Sequence, residues 1–235
     1  MTRRDDLEAN LTDVRARIEA ACRAAGRSPA EVDLLAVTKT FPASDVALLS
    51  ELGLSAFAEN RDQEASAKVV EFAGLRPDAE PTWHMVGNVQ RNKAKSVVSW
   101  ADRVDTLDSV RLADALAKAA AQRGRPLDVL IQVSIDGDPN RGGCPLQEVR
   151  SLADHVAGSG ELFLRGVMAV APIEMNPARA FSVLAEEVSR LCRDHPAATV
   201  VSAGMSGDLE DAIAHGSTCV RVGTALLGGR RLASP

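Results

Sequence analysis

From residue 32 onward, short apolar runs alternate with longer stretches of helical periodicity, and this alternation limits the chain to the α/β class. The strand-like runs are "VDLLAVTK" (Val32 to Lys39), "SAFAE" (Ser55 to Glu59), "TWHMVG" (Thr82 to Gly87) and "RVDTLD" (Arg103 to Asp108). They continue as "DVLIQVSI" (Asp128 to Ile135), "FLRGVMAV" (Phe163 to Val170), "TVVSAG" (Thr199 to Gly204) and "CVRVGTAL" (Cys219 to Leu226). Helical patterns lie between them at Ala43 to Leu52, Val110 to Arg123 and Pro177 to Asp194. An amphipathic helix, Asp5 to Ala25, precedes the first strand. Eight strands with intervening helices in a chain of 235 residues match the lower size range of a (β/α)₈ TIM barrel. A doubly wound open sheet is the other arrangement such a pattern allows. The expectation is one domain over residues 1–235, a (β/α)₈ barrel with an extra N-terminal helix. In a barrel the C-terminal ends of all strands gather on one face, where active sites form.

Composition removes several classes of partner. The formal net charge is −5 and no dense basic patch is present, which argues against nucleic acid. No apolar run approaches the roughly 20 residues of a membrane span, and "MTRRDDLEANL" has no apolar signal core. The four cysteines, Cys22, Cys144, Cys192 and Cys219, form no CxxC pair, so they read as reduced thiols rather than zinc ligands or disulfides. The four histidines show no HxxxH or HExxH spacing, and no metal site is expected. A cytoplasmic protein without membrane contact is the expectation.

"LLAVTKTFP", Leu34 to Pro42, places a lysine where the first strand ends. Lys39 can close the strand and extend into solvent, its methylenes packed on the rim. A partly desolvated amine at this place can also serve as a nucleophile that forms a Schiff base with an aldehyde cofactor. The far end of the chain bears on the choice. Ser202, Gly204 and Ser206 end the seventh strand just before "GDLEDAI", and Gly223 and Thr224 follow the eighth strand. Small residues on these two loops suit the customary phosphate site of a barrel.

Six motifs carry a resemblance that extends over nearly the whole chain: "LLAVTKTFP", "AENRDQE" (Ala58 to Glu64), "WHMVGNVQRNK" (Trp83 to Lys93), "RGVMAV" (Arg165 to Val170), "SAGMSGDLEDAI" (Ser202 to Ile213) and "GSTCVRVGTALLG" (Gly216 to Gly228). In these the chain resembles the YggS-like, or PROSC-like, pyridoxal phosphate homeostasis proteins. The resemblance implies a barrel like the N-terminal domain of alanine racemase, of PLP fold type III, carrying pyridoxal 5′-phosphate (PLP) as a Schiff base on Lys39. It further implies that Ser206, with Gly223 and Thr224, holds the phosphate, that Met205 belongs to the cofactor-binding set, that Arg221 faces the pyridine nitrogen, and that Asn60 and His84 line the cofactor pocket. The implied function is intracellular storage, buffering or delivery of PLP by a monomer. Apo-enzymes that accept PLP are possible transient partners, and small amino acids possible ligands. The family commonly writes Gly where this chain has Ala58, and Lys where the loop after the fifth strand has Arg141.

The alternative is a fold-type-III enzyme, a weak amino-acid racemase or decarboxylase. PLP acts best as an electron sink when its ring nitrogen is protonated. Arg221 can only donate a hydrogen bond there, because a guanidinium has no acceptor. Racemases of this fold use a tyrosine as second acid/base, and this sequence contains none. His84, Cys144 and Lys93 are the remaining groups that could act as a second base, and no residue is assigned a catalytic role. A carrier is therefore the expectation.

Overall fold

The computed structural model describes residues 2–138 and 142–229. Eight parallel strands close into a barrel: β1 (Asp33–Val37), β2 (Ala56–Glu59), β3 (Thr82–Met85), β4 (Arg103–Leu107), β5 (Leu127–Ser134), β6 (Leu162–Met168), β7 (Val200–Ser202) and β8 (Cys219–Val222). Neighbours follow chain order. β8 pairs with β1, and β4 pairs with β5, so no edge remains open. The open-sheet alternative is thereby excluded. A two-residue strand, Cys144–Pro145, runs parallel to the end of β5.

The helices are α1 (Arg3–Ala24), α2 (Ala43–Glu51), α3 (Asp62–Leu75), α4 (Ala94–Trp100), α5 (Val110–Arg123), α6 (Val149–Ala157), α7 (Pro177–Asp194), α8 (Leu209–Ala214) and α9 (Thr224–Leu227). A reciprocal capping box between Thr2 and Asp5 starts α1. Its buried Leu7, Leu11, Val14, Ile18 and Ala21 recur every three or four residues and give it one apolar face. One sequence expectation fails at the end of the last strand. "GTAL" continues the apolar pattern of "CVRV", yet Gly223 breaks the strand and Thr224–Leu227 turns as helix.

Each strand buries two faces, so its residues divide by parity. The outward faces meet the helices in one large cluster, including Phe57, Phe72 and Trp83, whose ring centroids lie 5.6–6.1 Å apart. Such aromatic pairs contribute about 0.5–1.5 kcal/mol each beyond area burial. The barrel interior is a separate, smaller cluster built on Leu35, Ala58 and Cys219, with Val37, Ala56, Val86 and Val200 against it. Register then places the polar interior residues. Ala58 pairs with His84, Leu35 with Arg221, Cys219 with Ser202, and His84 with Arg103, so all four partners point inward.

Candidate functional site

The first strand ends at Val37, and Lys39 lies two residues beyond it in a turn closed by the Phe41 N–H donating to Thr38 O at 3.1 Å. The sequence allows an amine that extends into solvent or one partly desolvated; in the structure Lys39 is exposed and, among the described residues, makes no hydrogen bond or ion pair. Thr40, beside it, has φ 68°. A β-branched residue in the left-handed region costs roughly 1–3 kcal/mol and persists only where its surroundings fix it. Here the Thr40 N–H donates to Glu64 Oε1 at 2.6 Å.

The buried lysine of this region is Lys68, on α3. It meets Glu59, at the end of β2, at 2.6 Å, with both side chains out of solvent. Burial raises the Glu59 carboxyl above its ordinary range, opposed by the charge and hydrogen bond of Lys68 and by the Thr38 hydroxyl. Sequence reasoning missed this cluster. Its available signals were a glutamate inside the apolar run "SAFAE" and the i, i+4 spacing of Glu64 and Lys68.

Arg221, fully inside the barrel on β8, donates from one terminal nitrogen to Ser202 O (2.7 Å) and Ser202 Oγ (2.8 Å), and from the other to Ala169 O (2.8 Å). Burial lowers its pKa from the ordinary arginine value, but a guanidinium keeps its proton near neutrality. The Arg221 N–H bonds Gly204 O at 2.9 Å, which ties β8 to the loop carrying Met205 and Ser206. Gly204 has φ +90°, and a Cβ there would stand 2.6 Å from Ala212 Cβ. This turn therefore requires glycine.

Ser206 Oγ accepts from the Ala225 N–H at 3.4 Å, bringing together the two loops singled out in the sequence. Arg17 of α1 donates to Ser206 O at 3.0 Å and holds the loop from below. Among the described residues, the N–H groups of Ser206 and Gly207 have no acceptor. Met205 is partly exposed beside them. Gly223 packs on the end of β1, where a Cβ would come within 3.2 Å of Val37 O, and Thr224 follows, exposed. Ser206, Gly223 and Thr224 thus share the barrel face on which Lys39 stands.

Asn60 follows β2 on that same face. Its Oδ1 is buried and, among the described residues, has no partner. Gly87 presses on its backbone so closely that a Cβ would lie 2.1 Å from Asn60 O. Asn60 also lines a cavity of about 630 Å³ with Met85, Asn88, Gln90 and Lys93.

His84 stands apart from this group. It is 6% exposed and lines a cavity of about 560 Å³ together with Asp33, Ala56, Thr82, Arg103 and Cys219. Those five residues begin their strands, so this cavity opens at the N-terminal end of the barrel. His84 Nδ1 lies 3.6 Å from Asp105, an ion-pair separation rather than a hydrogen bond. Burial alone would raise the Asp105 carboxyl, but His84 and Arg103 beside it hold it down at about 2. The remaining groups of interest are scattered. Burial, with Glu148 next, pushes the Cys144 thiol up to about 12. His155 and His195 pair with Asp114 and Asp154 at the surface, and His215 bonds a carbonyl of its own helix. Arg141 lies outside the described residues.

Comparison with known proteins now gives this arrangement a family. Residues 8–231 match the model of the alanine racemase N-terminal domain, and the chain belongs to that family. It is 46% identical over 247 residues to the pyridoxal phosphate homeostasis protein of Mycobacterium leprae, covering 99% of this chain and 96% of the relative. The chain is a pyridoxal phosphate homeostasis protein family member. The relative from Escherichia coli strain K12, with the same name, is 40% identical over 96% of this chain and 97% of its own length. Among solved structures, PipY of Synechococcus elongatus with PLP bound superposes with a TM-score of 0.81 at 31% identity, covering 94% of this chain and all of that one. Family membership agrees with the closed barrel and with the order of the six sequence motifs. Among the described residues no helix is long and apolar enough to cross a membrane, and no group of three metal-ligating side chains occurs.

Proposed function

We propose that this chain is an intracellular, cytoplasmic PLP-binding protein, one barrel domain that stores, buffers or delivers the cofactor, with PLP held as a Schiff base on Lys39. The observation that carries this reading is the convergence on one barrel face of an exposed amine, an inward guanidinium and a hydroxyl-rich pair of loops. Relatives at 40–46% identity that are named for PLP homeostasis, and a PLP-bound structural relative, support it.

The residues present fit the group. Ser206 and Thr224 supply hydroxyls, and the Ser206 and Gly207 N–H groups are without an acceptor among the described residues, as a phosphate dianion requires. The unpartnered Asn60 Oδ1 offers a buried acceptor on the same side. Arg221 presents a guanidinium whose orientation its three hydrogen bonds fix. When bound, PLP supplies an aldehyde that condenses with an amine. The contribution of Lys39 is an amine that, among the described residues, no carboxylate occupies. Apo-enzymes that accept PLP are the proposed partners, with small amino acids as further ligands.

Ser206→Ala tests the phosphate assignment. Losing one hydrogen bond to a charged group costs about 1.5–3 kcal/mol, so PLP affinity should fall roughly ten- to hundredfold. Equilibrium titration should show pyridoxal, which has no phosphate, affected far less. Equal weakening of both ligands would contradict a phosphate role for Ser206.

A further inference from the structure

The lysine that bears the proposed cofactor link is held in place by contacts its own side chain does not make. Lys68 Nζ gives its three N–H groups to Glu59 Oε1 at 2.6 Å, Thr38 O at 2.9 Å and Glu64 Oε1 at 3.2 Å. Thr38 adds its hydroxyl to Glu59 Oε1 at 2.6 Å and its N–H to Ala58 O at 3.0 Å. Glu64 accepts the Thr40 N–H at 2.6 Å. Both residues flanking Lys39 are therefore tied to one cluster, while Lys39 itself has no partner among the described residues.

Two features argue that the cluster serves more than stability. A buried lysine–glutamate pair is often no better for folding than apolar residues of the same volume, because desolvation offsets the attraction. In addition, the cluster ends on the backbone of Thr40, the one described non-glycine residue with positive φ. Relaxing that residue to an ordinary φ would turn the preceding peptide and carry Lys39 with it. Strain of this kind survives where surrounding contacts over-determine it.

We propose that Lys68, Glu59 and Glu64 are positioning residues that lock the Thr38–Phe41 turn and so aim the Lys39 amine at the cofactor mouth. The proposal rests on the reading of Lys39 as the PLP lysine. Its effect belongs to the covalent step, because the cluster touches none of Ser206, Gly223 or Thr224. A preorganised nucleophile reacts faster than one that must first find its geometry, and small misplacements cost up to about a hundredfold.

The test uses Glu64→Ala, Glu64→Gln and the double variant Lys68→Met/Glu59→Met. The Glu64 side chain is 30% exposed, so its replacement leaves the core closed, and the double variant replaces the buried pair with apolar groups of similar volume. In the cofactor-free protein, amide hydrogen exchange at Thr40 should accelerate by tenfold or more in Glu64→Ala and be largely restored in Glu64→Gln, whose amide oxygen still accepts. Covalent capture of PLP, followed by growth of the lysine-bound absorption band, should slow by about tenfold or more in Glu64→Ala and in the double variant. Affinity for pyridoxine 5′-phosphate, which carries an alcohol in place of the aldehyde, should stay within about twofold of the unmodified protein. Unchanged capture rates despite faster Thr40 exchange would overturn the proposal, as would a parallel loss of pyridoxine 5′-phosphate binding. Borohydride reduction of the unmodified protein separates this failure from failure of the underlying reading: label on a residue other than Lys39 refutes the PLP assignment, whereas label on Lys39 with unaffected variants refutes the positioning role alone.

Discussion

Replacing Lys39 with alanine is expected to abolish the visible absorption band of lysine-bound PLP and to leave the protein folded. The side chain is exposed, packs in neither the barrel interior nor the helical layer, and makes no ion pair among the described residues. Surface substitutions of this kind change stability by about 0.5 kcal/mol or less, which for a chain of this size moves the melting temperature by roughly 2 °C or less. Binding should survive only through the phosphate and ring contacts. Apparent PLP affinity is then expected to fall by about a hundredfold or more, roughly 2.7 kcal/mol. A band retained in Lys39→Ala would move the covalent site elsewhere, for example to Lys93 or Lys95 of the "NKAKS" segment.

The second large effect is an expected absence of turnover. Deuterium uptake at the α-carbon of a panel of amino acids in D₂O should proceed in the presence of the protein orders of magnitude below the roughly 1 s⁻¹ of an ordinary enzyme. A positioned acid or base contributes typically 10²–10⁴-fold, and two-face chemistry needs one on each side of the substrate. Lys39 can serve one face. For the other, the 235 residues contain no tyrosine. The Cys144 thiol is pushed up to about 12 and stays protonated near neutrality. His84 lines the cavity at the opposite end of the barrel, and the other histidines are engaged with surface carboxylates or their own helix. Arg221 adds a fixed donor at the barrel mouth and no carboxylate that would keep a ring nitrogen protonated. Exchange at 1 s⁻¹ or faster would instead establish an enzyme, and its loss in Lys93→Ala, at the lysine that lines the cavity with Asn60, or in His84→Ala would identify the base.

Much of this architecture was legible in the sequence because a buried parallel strand writes itself as an apolar run. All eight runs became strands, most within one or two residues of their expected ends. The error at Thr224–Leu227 has a local cause: "GTALL" is apolar and contains a β-branched residue, so periodicity over four residues cannot separate helix from strand. The two loops proposed to hold the phosphate were visible as clusters of small residues, and their meeting, Ser206 with Ala225, follows from β7 and β8 being adjacent.

What the sequence concealed depends on register. "LLAVTK" leaves open whether Lys39 is partly desolvated or extends into solvent; the strand stops at Val37 and the turn carries it into solvent. The lysine that is buried, Lys68, sits on a helix in an unremarkable "ASAKVVEF" segment, and its partner Glu59 is reached only when α3 packs back across β2. His84 shows the same limit. Its motif places it on β3, but which end of the barrel it faces follows from pairing with Ala58 and Arg103, which one strand cannot reveal.

The most direct test of the account is the visible spectrum of the purified protein incubated with PLP, recorded before and after borohydride reduction and followed by peptide mapping. An absorption band that disappears on reduction is expected, with the pyridoxyl label recovered on the peptide containing Lys39. No such band at saturating PLP, or a label confined to other lysines, would contradict it.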